Sequence, residues 1–195
     1  MRTTGVQKMD SAGADMPDER LVEQVRAGDG AAYEELIRRH KRKIFGMAAR
    51  IAHDPLELEE IVHEVFVKAY EKLAGFRGDA PFGNWLARIA TNTIYDCLRK
   101  RKRRQVEVPV DLYEWALESP VETQGAAPEE LAALARALER LRPEERMVIT
   151  LLELEEKSVK ETAYIMNMSE GNVKVRAHRA RKALKELLEK ELHHG

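Results

Sequence analysis

Apolar residues recur at helical spacing through most of this chain, and no segment makes a convincing strand. Leu21 and Val25 begin a short helix that Gly28 ends, and Asp29 is placed to cap the next. Tyr33, Leu36, Ile37, Ile44, Phe45 and Ala48 give that second helix one apolar stripe. Asp54-Pro55-Leu56-Glu57 is a helix start: Asp54 offers a side-chain cap, Pro55 suits the first helical position, and Glu57 stands where a capping-box carboxylate does. The helix it opens carries Leu58, Ile61, Val62, Val65, Phe66, Ala69, Tyr70 and Leu73 on one side and Glu59, Glu60, His63, Glu64 and Lys68 on the other. Gly75 to Gly83 breaks the pattern as a loop, and another helix is expected from about Asn84 into a basic run. Later, Leu131, Leu134, Leu138 and Leu141 repeat helically, and Pro143 opens a helix carrying Met147, Val148, Leu151 and Leu152.

The pattern predicts an all-α protein of two small helical domains on a flexible acidic linker. The expected divisions are a disordered leader over 1–17, a first domain over 18–104, the linker over 105–128, a second domain over 129–190 and a tail over 191–195. Within the linker, Leu112, Tyr113, Trp115 and Leu117 could still dock on a domain. A net charge of -1 conceals segregation. Arg99 to Arg104 is an unbroken cationic run, whereas Gln105 to Ala135 holds no Lys or Arg and accumulates Glu and Asp. Such blocks point to polyanion contact at two places separated by an acidic tether. One cysteine excludes an internal disulfide, and no apolar stretch approaches the roughly 18 residues of a membrane span. A cytoplasmic protein without membrane insertion, monomeric when free, is expected.

Val159 to Arg181 reads as a helix-turn-helix. Ala163, Ile165 and Met166 can pack from its first helix, Asn167 tolerates the left-handed turn, and Ser169 can cap the second helix. From Lys174 to Lys185 that second helix is basic without one acid, as a helix lying in a major groove requires. A different chemistry precedes the basic run. Phe76-Arg77-Gly78-Asp79, Phe82 and Trp85 through Asn92 bring aromatic rings, guanidinium and amide together at a loop–helix junction. Recognition of unstacked bases uses these groups, although Trp85 and Ile89 also suit a core.

The order of Leu21-Val22 with Gly28-Asp29, Leu58-Glu59-Glu60, Phe76-Arg77-Gly78, Trp85 through Asn92 and Asp96-Cys97-Leu98-Arg99 resembles sigma region two. Leu138 through Arg146, with the helix-turn-helix, resembles sigma region four. Together they are similar to a bacterial extracytoplasmic-function sigma factor of the sigma-70 family. The resemblance implies promoter DNA and core RNA polymerase (its clamp coiled coil and flap) as partners, often an anti-sigma factor, and no cofactor or bond chemistry. Region two would melt the minus-ten element and hold a flipped base near Phe82, Ile89, Asn92 and Asp96, with Arg77, Arg88, Arg99, Lys100 and Arg101 toward the backbone. Region four would read the minus-thirty-five element as duplex. Gly171 and Asn172 lie at its helix start, Lys174, Val175, His178 and Arg179 face bases, and Arg176, Arg181 and Lys182 meet phosphate. Glu59, Glu60, His63 and Glu64 would dock the clamp. Where the family commonly has Asp and Gln, this chain has Glu60 and His63, and an imidazole could make docking depend on pH.

Two other classes remain open from the residues alone. A free-standing helix-turn-helix regulator would need neither the acidic helix face nor the aromatic loop. A metal enzyme could use Glu60-x-x-His63, but a di-iron bundle needs a second such pair with two further Glu from other helices, and the other Glu-x-x-His spacing, Glu191 to His194, falls in the expected tail. His193-His194 could scavenge an ion only weakly. Cys97 adjoins the basic run, which would lower a thiol pKa, yet a lone buried thiol is the commoner case. Contact between both basic segments and phosphate predicts a steep salt dependence. DNA affinity by fluorescence anisotropy should fall about a hundredfold or more between roughly 50 and 200 mM salt; a flat response would count against both segments.

Overall fold

The computed structural model describes residues 16–52, 54–104 and 128–193, all of their regular structure helical. The linker over 105–127 and most of the leader lie outside the described residues. The first unit comprises α1 (Asp18–Arg26), α2 (Gly30–Ala49), α3 (Pro55–Lys72) and α4 (Phe82–Arg104). The second comprises α5 (Pro128–Glu139), α6 (Pro143–Ile149), α7 (Val159–Met166) and α8 (Glu170–His193). Helix α4 starts slightly before the sequence suggests, and α8 continues into the expected tail.

Local chemistry explains most boundaries. Gly28 adopts φ 100° between α1 and α2, and the Asp29 carboxylate accepts the Ala31 amide at 2.9 Å. The Asp54 carboxylate accepts the Glu57 amide at 2.6 Å. Ser158 and Glu161 form a reciprocal capping box at the start of α7. Asn167 then turns left-handed at φ 54°, and Ser169 Oγ accepts the Asn172 amide at 3.2 Å to open α8. Between α6 and α7 the chain widens into a π turn over Thr150–Leu154 before reversing at Glu156, φ 48°.

The apolar stripe of α3 is buried as expected, except that Tyr70 is 58% exposed. Its partners are Leu36, Ile44 and Met47 of α2 and Leu86, Ala90 and Ile94 of α4, all fully buried. The core does not stop at the first unit. Met147, Val148, Leu151, Ile165 and Met166 of the second unit continue the same apolar cluster, so the two units pack directly on each other. A smaller cluster, Leu141, Ile149 and Ala180 with Leu184 and Leu187, holds α5 and α6 to α8.

Polar contacts stitch this seam. Asn84 Nδ2 donates to Glu161 Oε1 at 2.9 Å, and Arg88 Nη2 donates to Asn167 Oδ1 at 2.8 Å while its guanidinium lies 5.2 Å from the centre of the Tyr164 ring. Arg146 Nη1 donates to the Arg50 carbonyl at 2.8 Å, meeting the negative end of α2. Lys43 pairs with Glu155 at 3.4 Å, and burial pulls the Lys43 pKa down. The direct contact between units was not visible in the sequence.

The Asn84 amide and the Ser158 cap together hold the Glu161 carboxyl down at about 2, below its usual 4.5. A carboxylate whose pKa is depressed in the fold contributes stability that is present above about 4.5 and disappears as pH falls toward 2. The melting-temperature difference between the native chain and Glu161→Gln should therefore be full at neutral pH and shrink toward zero below pH of about 3. A difference independent of pH would remove this assignment.

Candidate nucleic-acid interface

Helix α8 presents one stripe outward because Val173, Ala177 and Ala180 turn the opposite stripe into the core. Gly171, Lys174, Val175, His178, Arg179 and Lys182 recur at helical spacing on the exposed side, and all are exposed. Val175 is 49% exposed, an apolar group with no core role. Arg176 and Arg181 flank the stripe. Arg176 Nε donates to Asn172 Oδ1 at 3.1 Å, and Arg181 pairs with Glu153 at 2.6 Å. Both pairs are solvent-accessible, so phosphate can replace the intramolecular acceptor at small cost. The Asn167 turn and the Ser169 cap fix the angle at which this stripe leaves the domain.

The second surface lies on α4 and the preceding loop. A 3-10 turn, Leu73–Gly75, ends α3, and the segment 76–81 then leads into α4 at Phe82. The aromatic residues do not stand out as stacking platforms. Phe82 is only 2% exposed, its ring 5.7 Å from Phe76 and 5.5 Å from Trp85, and Ile89 is also buried. They wall the loop from behind, a role closer to the core reading than to direct base contact. The exposed groups are Arg77, Gly78 and Asp79 at the loop tip and Asn92, Arg99 and Lys100 along α4. Asn92, Asp96 and Arg99 follow one helical stripe, with Asp96 accepting from Arg99 and lying 3.8 Å from Lys68. Arg77 pairs with Asp79 at 3.0 Å.

Two cations expected at the phosphate backbone are engaged elsewhere. Arg88 sits in the seam against Asn167 and Tyr164, where α4 meets a shallow groove lined also by Met168 and Ser169. Arg101 reaches Glu57 at 3.4 Å. Glu57 also accepts from Cys97 Sγ at 3.2 Å, and burial together with that carboxylate pushes the thiol up to about 11. Cys97 is therefore not activated by the basic run: burial and the nearby acid outweigh the cations. Sequence reading missed Asn84, Glu161 and Tyr164 as seam residues, and only the Ser158-x-x-Glu161 cap gave any signal of one of them.

On α3, Glu59, Glu60 and His63 are exposed beside Leu56, 68% exposed, Val67 and Tyr70. Glu64 is half-buried and pairs with Lys68 at 2.7 Å. This face combines acids with exposed apolar groups, Tyr70 meeting the Tyr33 ring edge-on at 5.0 Å. No group of three or more His, Cys, Asp or Glu placed to hold a metal occurs among the described residues. Among them, too, no helix is long and apolar enough to cross a membrane.

Comparison with known proteins gives these surfaces a context. Residues 36–104 match the family model for sigma-70 region 2, and residues 131–184 match that for sigma-70 region 4. The chain is 35% identical over 182 residues to the ECF RNA polymerase sigma-E factor of Escherichia coli strain K12, covering 87% of this chain and 93% of that protein. It superposes on CnrH, solved in complex with the cytosolic domain of CnrY, with a TM-score of 0.65 at 29% identity, covering 89% of this chain and 97% of the other. The sigma factor RpoE of Bartonella quintana, solved with the anti-sigma factor NepR, shares the fold with a TM-score of 0.63 at 23% identity, covering 80% and 96%. Two family models in the expected order, a full-length relative and two helical units of matching fold agree: the chain belongs to the sigma-70 family of RNA polymerase sigma factors, as one of the extracytoplasmic-function type.

Proposed function

We propose that this chain brings core RNA polymerase to promoters by dividing recognition between two surfaces of different chemistry. The exposed stripe of α8 reads the minus-thirty-five element in the major groove, with Lys174, Val175, His178 and Arg179 toward base edges and Arg176, Arg181 and Lys182 toward phosphate. The loop over 76–81 and the Asn92–Asp96 stripe of α4 receive a base extruded from the minus-ten element, while Arg77, Arg99 and Lys100 meet the backbone. Glu59, Glu60, His63 and Glu64, with the exposed Leu56, Val67 and Tyr70, dock the clamp coiled coil of the polymerase. The chain itself makes and breaks no bonds. It acts in the cytoplasm, where the polymerase is.

The observation that carries this reading is the pairing of a duplex-reading helix with a second, loop-borne surface suited to unstacked bases. A free-standing regulator has no use for that second surface or for the apolar-acidic face of α3. The family context adds an anti-sigma factor as a regulatory partner, in keeping with the Bartonella factor solved in such a complex. The acidic linker would follow channels that otherwise carry RNA, where a segment without Lys or Arg mimics the charge of nucleic acid.

Contact between Arg88 and DNA requires the seam to part, because α7 occupies its guanidinium in the closed arrangement. A short bis-maleimide linking cysteines introduced as N84C and E161C in a Cys97→Ser background should abolish promoter opening, whereas the unlinked double variant should retain it. Equal opening with and without the linker would show that the seam need not part. Asn92→Ala should lower formation of the melted complex by roughly tenfold, the scale of one lost base contact, with core affinity changed less than about twofold. Permanganate footprinting and core titration measure the two quantities separately, and lost core binding would reject the role given to Asn92.

A further inference from the structure

We propose that α1 braces the loop that receives the extruded base, holding its two ends through Arg26 and through Asp18 with His40. Arg26, at the C-terminal end of α1, spans the turn that leaves α3. Its Nη2 donates to the Leu73 carbonyl at 3.0 Å, to the Ala74 carbonyl at 3.2 Å and also to the Phe76 carbonyl, and its Nε donates to the Leu73 carbonyl at 3.3 Å. These carbonyls lie at and just beyond a helix end, where a cation is favoured, and the Leu73 carbonyl also accepts the Phe76 amide at 3.1 Å. A guanidinium fork can serve several acceptors at once; a lysine ammonium cannot match its fixed geometry.

The opposite end of α1 acts on the other end of the loop. Asp18 accepts from Arg39 at 3.0 Å and lies 2.6 Å from His40 Nε2. The His40 ring meets the Phe82 ring edge-on at 5.3 Å, and its Cε1 lies 3.2 Å from where a Cβ on residue 83 would stand, so Gly83 permits the close approach. Phe76 and Trp85 lock together at 5.2 Å, closing the frame from behind. The tip stays exposed, with Arg77, Gly78 at φ 76° and Asp79 open to solvent. A tip held at one end directly by α1 and at the other through His40 of α2, which Asp18 engages, is organised for capture before DNA arrives, so less ordering cost falls on binding. Arg26, Asp18 and His40 are thus positioning residues, remote from the DNA they help to hold.

This inference rests on the base-capture reading, and its test separates the two. Holoenzyme would be assembled from core polymerase and the full chain. Fork-junction DNA would carry the promoter enriched from a randomised pool, intact or with one abasic site at each minus-ten position in turn. The native chain should lose about tenfold at the position whose base is extruded. Arg26→Ala should weaken the intact probe by about fivefold or more while changing the abasic probe less than about twofold, because both changes remove the same interaction. Arg26→Lys should restore part of the loss, and Asp18→Ala should repeat the pattern of Arg26→Ala. Equal losses on both probes would reduce α1 to a structural support and overturn the proposal, as would an unaltered intact probe. If the native chain distinguishes no abasic site, base capture itself fails and the brace falls with it. Unchanged affinity for core polymerase, which the first unit docks through α3, would certify that the variants are folded.

Discussion

Helix α4 buries Leu86, Ala90 and Ile94 in the first bundle and at the same time sets Asn84 and Arg88 against α7 of the second. Few helices in so small a protein are asked to serve three purposes. The first face gives the bundle its core. The second makes the apolar cluster continuous across both units. The third, with Asn92, Arg99 and Lys100, stays exposed because the other two faces are already occupied. The position of this exposed surface of α4 is therefore a consequence of packing. A helix held on two sides has one side left to offer.

The seam is well packed in its apolar part and imperfect in its polar part. Tyr95 Oη and Arg146 Nε are buried without a hydrogen-bond partner, and Glu144 and Arg176 of the second unit are the charges that act on Tyr95. Each such orphan costs about 1–3 kcal/mol, comparable to what one good hydrogen bond across the seam returns. Burial also lowers the pKa of both Arg146 and Arg50, so two cations are held where water solvates them poorly. An interface of this composition stays closed through its apolar contacts and yields once a partner offers better ones. Under the proposed function DNA phosphate would be such a partner for Arg88, and its binding would favour the parted arrangement by mass action.

The exposed stripe of α8 differs in that it depends on little beyond its own domain. Val173, Ala177 and Ala180 turn one stripe of α8 inward, and the polar stripe follows from the period of the helix. The surface on α3 has the same origin: burying Leu58, Ile61, Val65 and Ala69 leaves Glu59, Glu60 and His63 in water. The loop over 76–81 has no such periodicity to define it, and the flanking helices hold its ends in place.

Hydrophobic period, caps and charge blocks determined the helical class, the recognition helix and the acidic face. These properties are local: a stripe every three to four residues, an Asp before Pro55 and an Asn at the left-handed turn each act within one or two helical turns. The family motifs were legible for the same reason, being short runs in a fixed order. What the sequence left undecided was every question of which side chain meets a distant one. That Phe82 is buried against Phe76 and Trp85, that Arg101 serves Glu57, that Arg88 is covered by α7 and that Arg26 of α1 holds one end of the loop while His40 of α2 meets the other depend on how whole helices pack. An arginine's charge can be read from its letter, but its partner is fixed only when the core has brought two remote segments within hydrogen-bonding reach.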